Sequence, residues 1–235
     1  MTRVALITGG ASGIGLATAG LLAARGFHVA ISGRSPDKLA AATASLGQAC
    51  STFAADLEDP AQAAALVDNV LARHGRLDVI VNNAGWSPSA TIPQTTPDIA
   101  SRVFALNAIA PTVIIARAWP ALVKAAADGS SPAVVNVSSM ATRDPFPVLF
   151  AYAAAKSGVN SLAQSVARQG TPHRIRGFAV APGSVETDLL RSLVTEAEVP
   201  RTRTLTPESV ASDIVACIMG ERDGDNGTTI FLPSP

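Results

Sequence analysis

Short β-branched runs alternate with longer Ala- and Leu-rich stretches along the whole chain, and this alternation constrains the fold more than any other feature. The runs are Val4–Thr8, Val29–Ser32, Ser51–Ala54, Val79–Val81, Ala133–Val137, Phe178–Ala181 and Thr228–Leu232. Between them, segments such as Asp37–Leu46 and Ala61–Arg73 repeat apolar residues at spacings of three and four and hold good helix formers. Strand runs that are apolar throughout predict burial on both faces. The expectation is an α/β fold: a single doubly wound domain over residues 1–235, with a seven-stranded parallel sheet and helices on both faces. Ser35-Pro36, Asp59-Pro60 and Thr206-Pro207-Glu208 each set a capping oxygen before a proline, which predicts helix starts there. Trp86–Pro97 and Ala141–Phe150, rich in prolines and following strands, are predicted loops at the carboxyl edge of the sheet, where open α/β folds bind ligands.

Charge excludes some partners. Eighteen basic residues balance eighteen acidic ones, so the chain lacks the footprint of a nucleic-acid or anionic-membrane binder. The longest apolar stretch, Ala105–Val123, is interrupted by Asn107, Pro111, Thr112, Arg117 and Pro120 and is read as a buried helix, with no membrane as partner. The first residues lack the succession of a secretory signal, so a cytoplasmic location is expected. Cys50 and Cys217 lack CxxC spacing and no Cys/His cluster accompanies His28, His74 or His173; no disulfide and no metal site is expected, and each cysteine reads as a small buried hydrophobe.

Thr8-Gly-Gly-Ala-Ser-Gly-Ile-Gly15 follows the first strand and opens a helix. Gly9 suits a tight turn, Gly13 lets backbone amides approach an anion, and Gly15 permits close helix–strand packing, while Ser12 and Ile14 lie in the same cradle. The free amides and dipole of a helix start favour a pyrophosphate. The spacing is G-x3-G-x-G and not the general G-x-G-x-x-G, and a tight turn without a ligand is the competing reading. After the second strand, where an acid would accept bonds from the ribose of NAD, stand Gly33, Arg34 and Ser35. The fork of Arg34 suits a 2′-phosphate, which points to NADP(H) over NAD(H), against the alternative of a solvated surface arginine.

Tyr152 is the only tyrosine, and Lys156 follows it by four residues in a helix-prone segment, so one turn places both on one face. A neighbouring ammonium stabilises a phenolate, and the pair is read as an acid/base with the phenol moved toward the working range. Ser139, at the end of the fifth strand run, offers a hydroxyl for a carbonyl oxygen; turn chemistry and capping are the competing reading for Ser138 and Ser139.

Thr8-Gly-Gly-x3-Gly-Ile-Gly15, Asn82-Asn-Ala-Gly85, Asn107, Ser139, Tyr152-x3-Lys156 and Pro182-Gly-Ser-Val-Glu-Thr187 together resemble the short-chain dehydrogenase/reductase family, in its order and approximate spacing, over residues 3 to about 190. The resemblance implies a Rossmann-type fold and hydride transfer between NADP(H) and a carbonyl or secondary alcohol. It implies that Tyr152 exchanges the proton with the substrate oxygen, that Ser139 polarises that oxygen, and that Lys156 tunes Tyr152. It further implies that Lys156 and Tyr152 meet the nicotinamide ribose and that Asn107 holds a water linking Lys156 to solvent. Asp56 and Leu57 match the adenine end, Asn82, Asn83, Ala84 and Gly85 the central groove, and Pro182, Gly183, Val185 and Thr187 the segment that orients the nicotinamide. The competing reading for Asp56 is a helix cap. Family likeness also implies a homodimer or homotetramer, which the Ala-rich faces Ala105–Ala118 and Ala153–Ala167 would permit.

A short lid is expected over about 186–206, with Arg191, Arg201 and Arg203 expected to face water. Trp86, Met140, Phe146 and Leu149 are the candidate substrate pocket, and their apolar character points to a small apolar carbonyl or alcohol. Two other readings stand beside an oxidoreductase: an NADP(H)-binding sensor without turnover, and an epimerase or lyase on the same cofactor site. The intact catalytic set argues against the first and the short lid against the second.

Overall fold

A computed structural model describes residues 2–235. Its strands are β1 (Val4–Thr8), β2 (His28–Gly33), β3 (Cys50–Ala54), β4 (Val79–Asn82), β5 (Ala133–Val137), β6 (Arg176–Pro182) and β7 (Thr229–Leu232). They form one sheet in the order β3-β2-β1-β4-β5-β6-β7, with every neighbouring pair parallel. Helices α1 (Gly13–Ala23), α2 (Pro36–Leu46), α3 (Pro60–His74), α4 (Pro97–Phe104), α5 (Ala110–Ala127), α6 (Phe150–Gly170), α7 (Asp188–Leu193) and α8 (Pro207–Met219) lie between them. The doubly wound, seven-stranded parallel sheet is the one the strand runs predict.

Side-chain alternation along the strands builds two cores. Ala5 and Ile7 of β1 point to one face, against Ala19 and Leu22 of α1 and Val210 and Ile214 of α8. Val4 and Leu6 point to the other, against Leu66 and Val70 of α3 and Ile114 and Leu122 of α5. The expected proline starts are real: Ser35 accepts from the Lys38 amide, Asp59 from Ala61 and Thr206 from Ser209. Cys50 and Cys217 are buried free thiols, and burial pushes the Cys217 thiol up to about 12.

One strand start departs from the sequence reading. β6 begins at Arg176, two residues before its apolar run, because the buried guanidinium of Arg176 donates to the carbonyls of Cys217, Ile218 and Ser131 and so closes the end of α8. The prolines of the Ala105–Val123 stretch do not break it. Pro97–Ala127 is helical throughout, 31 residues that by length and composition alone are enough to cross a membrane. A π-type turn at Ala105–Ile109 lies one residue before Pro111, which has no amide to add to the ladder there. The inner side of this rod, with Leu106, Ala110, Ile114, Ala118 and Leu122, is buried in the second core.

At the amino end of the sheet Asp78 is fully buried. Its carboxylate accepts the Val4 amide at 2.8 Å and a two-pronged bond from the Arg76 guanidinium. Burial alone would raise the pKa of Asp78, but the Arg76 and Val4 hydrogen bonds outweigh it and hold the carboxyl below its ordinary value. At the opposite end β1 and β4 diverge into connections on opposite faces, and this switch point positions the site.

Candidate active site

Thr8 closes the switch point. Its hydroxyl accepts the amides of Asn83 and Ala84 at 2.9 and 3.0 Å, while the Asn83 carboxamide donates to the Thr8 and Gly9 carbonyls at 2.8 and 3.2 Å. The ends of β1 and β4 are thereby tied into one rigid edge. Gly9 takes φ +63°, the left-handed region, as a tight turn requires. A Cβ on Gly15 would lie 2.5 Å from the Gly9 carbonyl oxygen and from the Asn83 amide nitrogen, so Gly15 closes the turn on itself. The close approach to a strand expected of Gly15 belongs instead to Gly10, where a Cβ would lie 2.7 Å from Ile31. Asn82 faces away from the groove: its side chain donates to Asn136 inside the sheet, and Asn83 is the neighbour that shapes the cradle.

Gly9, Ser12, Gly13 and Ile14 line one end of a cleft of about 350 Å³, with Asn83, Ala84 and Gly85 along its floor. Ser139, Tyr152 and Lys156 form the next part of the wall, and Pro182, Gly183, Val185 and Thr187 face them. The glycine turn has the room and the unpaired helix-start amides that a pyrophosphate needs, so the residues present fit a dinucleotide. Among the described residues no group of three His, Cys, Asp or Glu side chains is placed to hold a metal ion.

Lys156 is almost fully buried and donates to the Val137 carbonyl at 2.7 Å, with its Nζ 5.6 Å from the centre of the Tyr152 ring. Burial lowers Lys156 to about 8 and raises Tyr152 to about 12, with the Ser139 hydroxyl pulling Tyr152 back down. This corrects the expectation that the ammonium brings the phenol toward neutrality: desolvation dominates both groups here. Ser139 lines the cleft and its Oγ also accepts the Ala141 amide at 3.1 Å, so the residue that caps this turn also stands on the cleft wall. Ser138 turns back toward the Lys156 carbonyl.

Asn107 is completely buried in the π-type turn. Both of its amide hydrogens are used, toward the Trp86 and Val103 carbonyls at 2.8 Å each, and its oxygen accepts the Trp86 amide. Asn107 therefore anchors the Gly85–Trp86 backbone directly. A Cβ on Gly85 would lie 2.8 Å from the Asn107 oxygen and 3.4 Å from Lys156 Nζ, so the two polar groups flank one bare α-carbon.

Several expected site residues lie off this wall. Trp86 packs under the Arg102 guanidinium, 4.0 Å from the ring centre, and does not line the cleft. Leu57 is buried in the core beside α3. Asp56 does not cap α3, which Asp59 does; its carboxylate accepts the Glu58 amide. Arg34 is 55% exposed and pairs with Glu58 at 3.2 Å. Met140, Phe146 and Leu149 do line the cleft, and Phe146 is largely exposed at its mouth.

The base of the 186–206 segment is a clip: Val185 bridges Leu205, with the Leu205 amide donating to Ser184 and the Glu186 amide to Leu205. Arg191 does not face water. It makes a two-pronged pair with Glu186 and donates to the Val199 carbonyl, and Arg201 approaches the same carboxylate at 3.9 Å. Leu189, Leu190, Leu193, Val194 and Val199 from the lid line the cleft and were not singled out in the sequence. Their signal was available, since Asp188-Leu-Leu-Arg-Ser-Leu-Val194 carries apolar residues at helical spacing after a capping Thr187. Behind the wall, the Ser234 hydroxyl accepts the Ser184 amide at 2.7 Å and the Leu232 carbonyl accepts the Gly183 amide at 2.8 Å.

The family model described as short chain dehydrogenase matches residues 3–198. The chain belongs to the short chain dehydrogenase family. Among its relatives, the cis-4-hydroxycyclohexanecarboxylate dehydrogenase of Sinomonas cyclohexanicum is 37% identical, over 90% of this chain and 87% of that protein. The galactitol 2-dehydrogenase of Agrobacterium fabrum is 30% identical, over 99% and 90%. The crystal structure of a 3-ketoacyl-(acyl-carrier-protein) reductase from Brucella melitensis complexed with NADH superposes with a TM-score of 0.90 at 27% identity, covering 97% of this chain and 96% of that one. As a short chain dehydrogenase this chain is an oxidoreductase of alcohol and carbonyl groups with a nicotinamide dinucleotide site.

Proposed function

We propose that this short chain dehydrogenase interconverts a small apolar ketone and its secondary alcohol with NADP(H), using Tyr152 as the acid/base. The observation that carries the reading is the convergence of Ser139, Tyr152 and Lys156 on one cleft wall between a glycine-rich cradle and an apolar lid. A nicotinamide dinucleotide bound along the cradle supplies or accepts the hydride. Ser139 and Tyr152 hydroxyls hold the substrate oxygen, and Tyr152 gives it a proton as negative charge develops there. With the phenol held near 12, its acid form predominates at neutral pH, which suits carbonyl reduction. Lys156, fixed by the Val137 carbonyl, sets a positive charge beside the ring when protonated. Leu189, Leu190 and Leu193 exclude water from the reacting oxygen and offer nothing to a charged substrate.

Fluorescence titration with NADPH and NADH, followed by loss of reduced-nicotinamide absorbance with a panel of apolar ketones and aldehydes, tests this reading. Binding with turnover supports it; binding without turnover across the panel favours a sensor, and binding of neither nucleotide overturns it. For the cofactor, Arg34→Asp shifts the ratio of NADH to NADPH affinity toward NADH by at least about tenfold, because a fork of donors at the 2′-phosphate is replaced by a like charge. An unchanged ratio in the same titration would mean that Arg34 does not face that phosphate. Assembly as a homodimer or homotetramer belongs to the same proposal, supported by the exposed Phe104, Ile109 and Phe150 around α4 to α6. Sedimentation as a monomer at micromolar concentration would remove it.

A further inference from the structure

Glu58, which no motif marks, joins two cations beside the end of β2. One oxygen, Oε1, accepts from Arg34 Nη1 at 3.2 Å and from Arg102 Nε at 2.8 Å. The three side chains belong to three different segments: the end of β2, the loop after β3, and α4. Glu58 is the most buried of the three, with 24% of its side chain exposed against 55% for Arg34 and 41% for Arg102. Its backbone is held in turn by the Asp56 carboxylate, and Arg102 is fixed over the Trp86 ring. The carboxylate is therefore anchored and Arg34 is the most solvent-exposed member.

Resting on the reading of Arg34 as the 2′-phosphate partner, we propose that Glu58 is a specificity-determining residue that limits the preference for NADP(H), with Arg102 as its regulator. A 2′-phosphate has to share the Arg34 guanidinium with a carboxylate already bound to it, and it brings its own negative charge close to that carboxylate. A ribose with a free 2′-hydroxyl meets neither obstacle. Arg102 moderates the competition, because the shared oxygen divides its charge between two cations and so holds Arg34 less firmly than it would alone. The preference is thus set by three side chains, and α4, on the other side of the switch point from β2, takes part in reading the adenosine phosphate.

The test measures dissociation constants of NADPH and NADH by fluorescence titration, and of 2′,5′-ADP by displacement, for the wild type, Arg34→Asp, Glu58→Gln, Arg102→Met and the Glu58→Gln/Arg102→Met double variant. Exposed ion pairs are weak, so the changes expected of the Glu58 and Arg102 variants are about threefold to fivefold. Glu58→Gln raises the NADPH-to-NADH affinity ratio and tightens 2′,5′-ADP; Arg102→Met lowers the ratio; the double variant behaves as Glu58→Gln alone, since Arg102 acts through Glu58. If Arg34→Asp shifts the ratio while Glu58→Gln leaves it unchanged or lowers it, the proposal fails and the cofactor reading stands. If Arg34→Asp shifts nothing, the cofactor reading fails and the proposal with it. A ratio of affinities, unlike a melting temperature or a rate, does not move when a variant merely loses stability.

Discussion

Tyr152→Phe is expected to lower carbonyl reduction by about 10²- to 10⁴-fold, the range typical of a lost general acid, while nucleotide binding persists. The substitution keeps the ring, its packing and the turn of helix shared with Lys156, and removes only the hydroxyl on the cleft wall. Burial holds the pKa of the phenol near 12, so at neutral pH the substitution removes a neutral proton donor and no charge. Single-turnover rates with saturating NADPH isolate the effect from product release, and titration of the variant with NADPH separates chemistry from binding. A variant with near-wild-type turnover would show that another group, or water, supplies the proton.

Asp78→Leu is expected to cost about 3 kcal/mol of stability, because it leaves the Arg76 guanidinium and the Val4 amide without their shared acceptor. For a domain of this size that corresponds to about 6–12 °C in melting temperature. The site lies at the amino end of the sheet, away from the cleft, so the loss belongs to β1 and β4 pairing and not to ligand contacts. The pH dependence carries a sign. The folded carboxyl titrates below its unfolded value, so its contribution is complete above the unfolded carboxylate range and is lost as pH falls through the folded value. Thermal melts between pH 7 and pH 3 should converge for wild type and variant as the acid end is approached. A wild-type advantage that grew on acidification would contradict the ion-pair account.

The strands were legible because their apolar runs follow directly from burial on both faces of a parallel sheet, and the helix starts because a capping oxygen before proline is a local signal. Arg176 was not, since a cation becomes a strand residue only through the carbonyls of α8 that it closes. The same holds for the π-type turn before Pro111, within which Asn107 reaches Trp86 and Val103. In the site, Tyr152, Lys156 and Ser139 were readable from a spacing of one helical turn and a strand end. The packing of Trp86 under Arg102 and the engagement of Arg34 by Glu58 were not, because each joins side chains from different segments of the chain. The direction of the Tyr152 shift was misjudged for a related reason: neighbours can be guessed from spacing, whereas desolvation depends on the whole wall.

The brace behind the Pro182–Thr187 wall of the cleft has a consequence for synthesis. Ser184 is pinned by Ser234, fifty residues further along, and Gly183 by Leu232. At a synthesis rate of about 5–20 residues per second the Pro182–Ser184 segment is exposed to solvent for roughly 3–10 s before its brace exists. The glycine-rich cradle, made near the start of the chain, waits longer still for its opposite wall. Nucleotide therefore has no complete surface to bind on a nascent chain, and the stabilisation that binding confers reaches only molecules whose last strand has already docked.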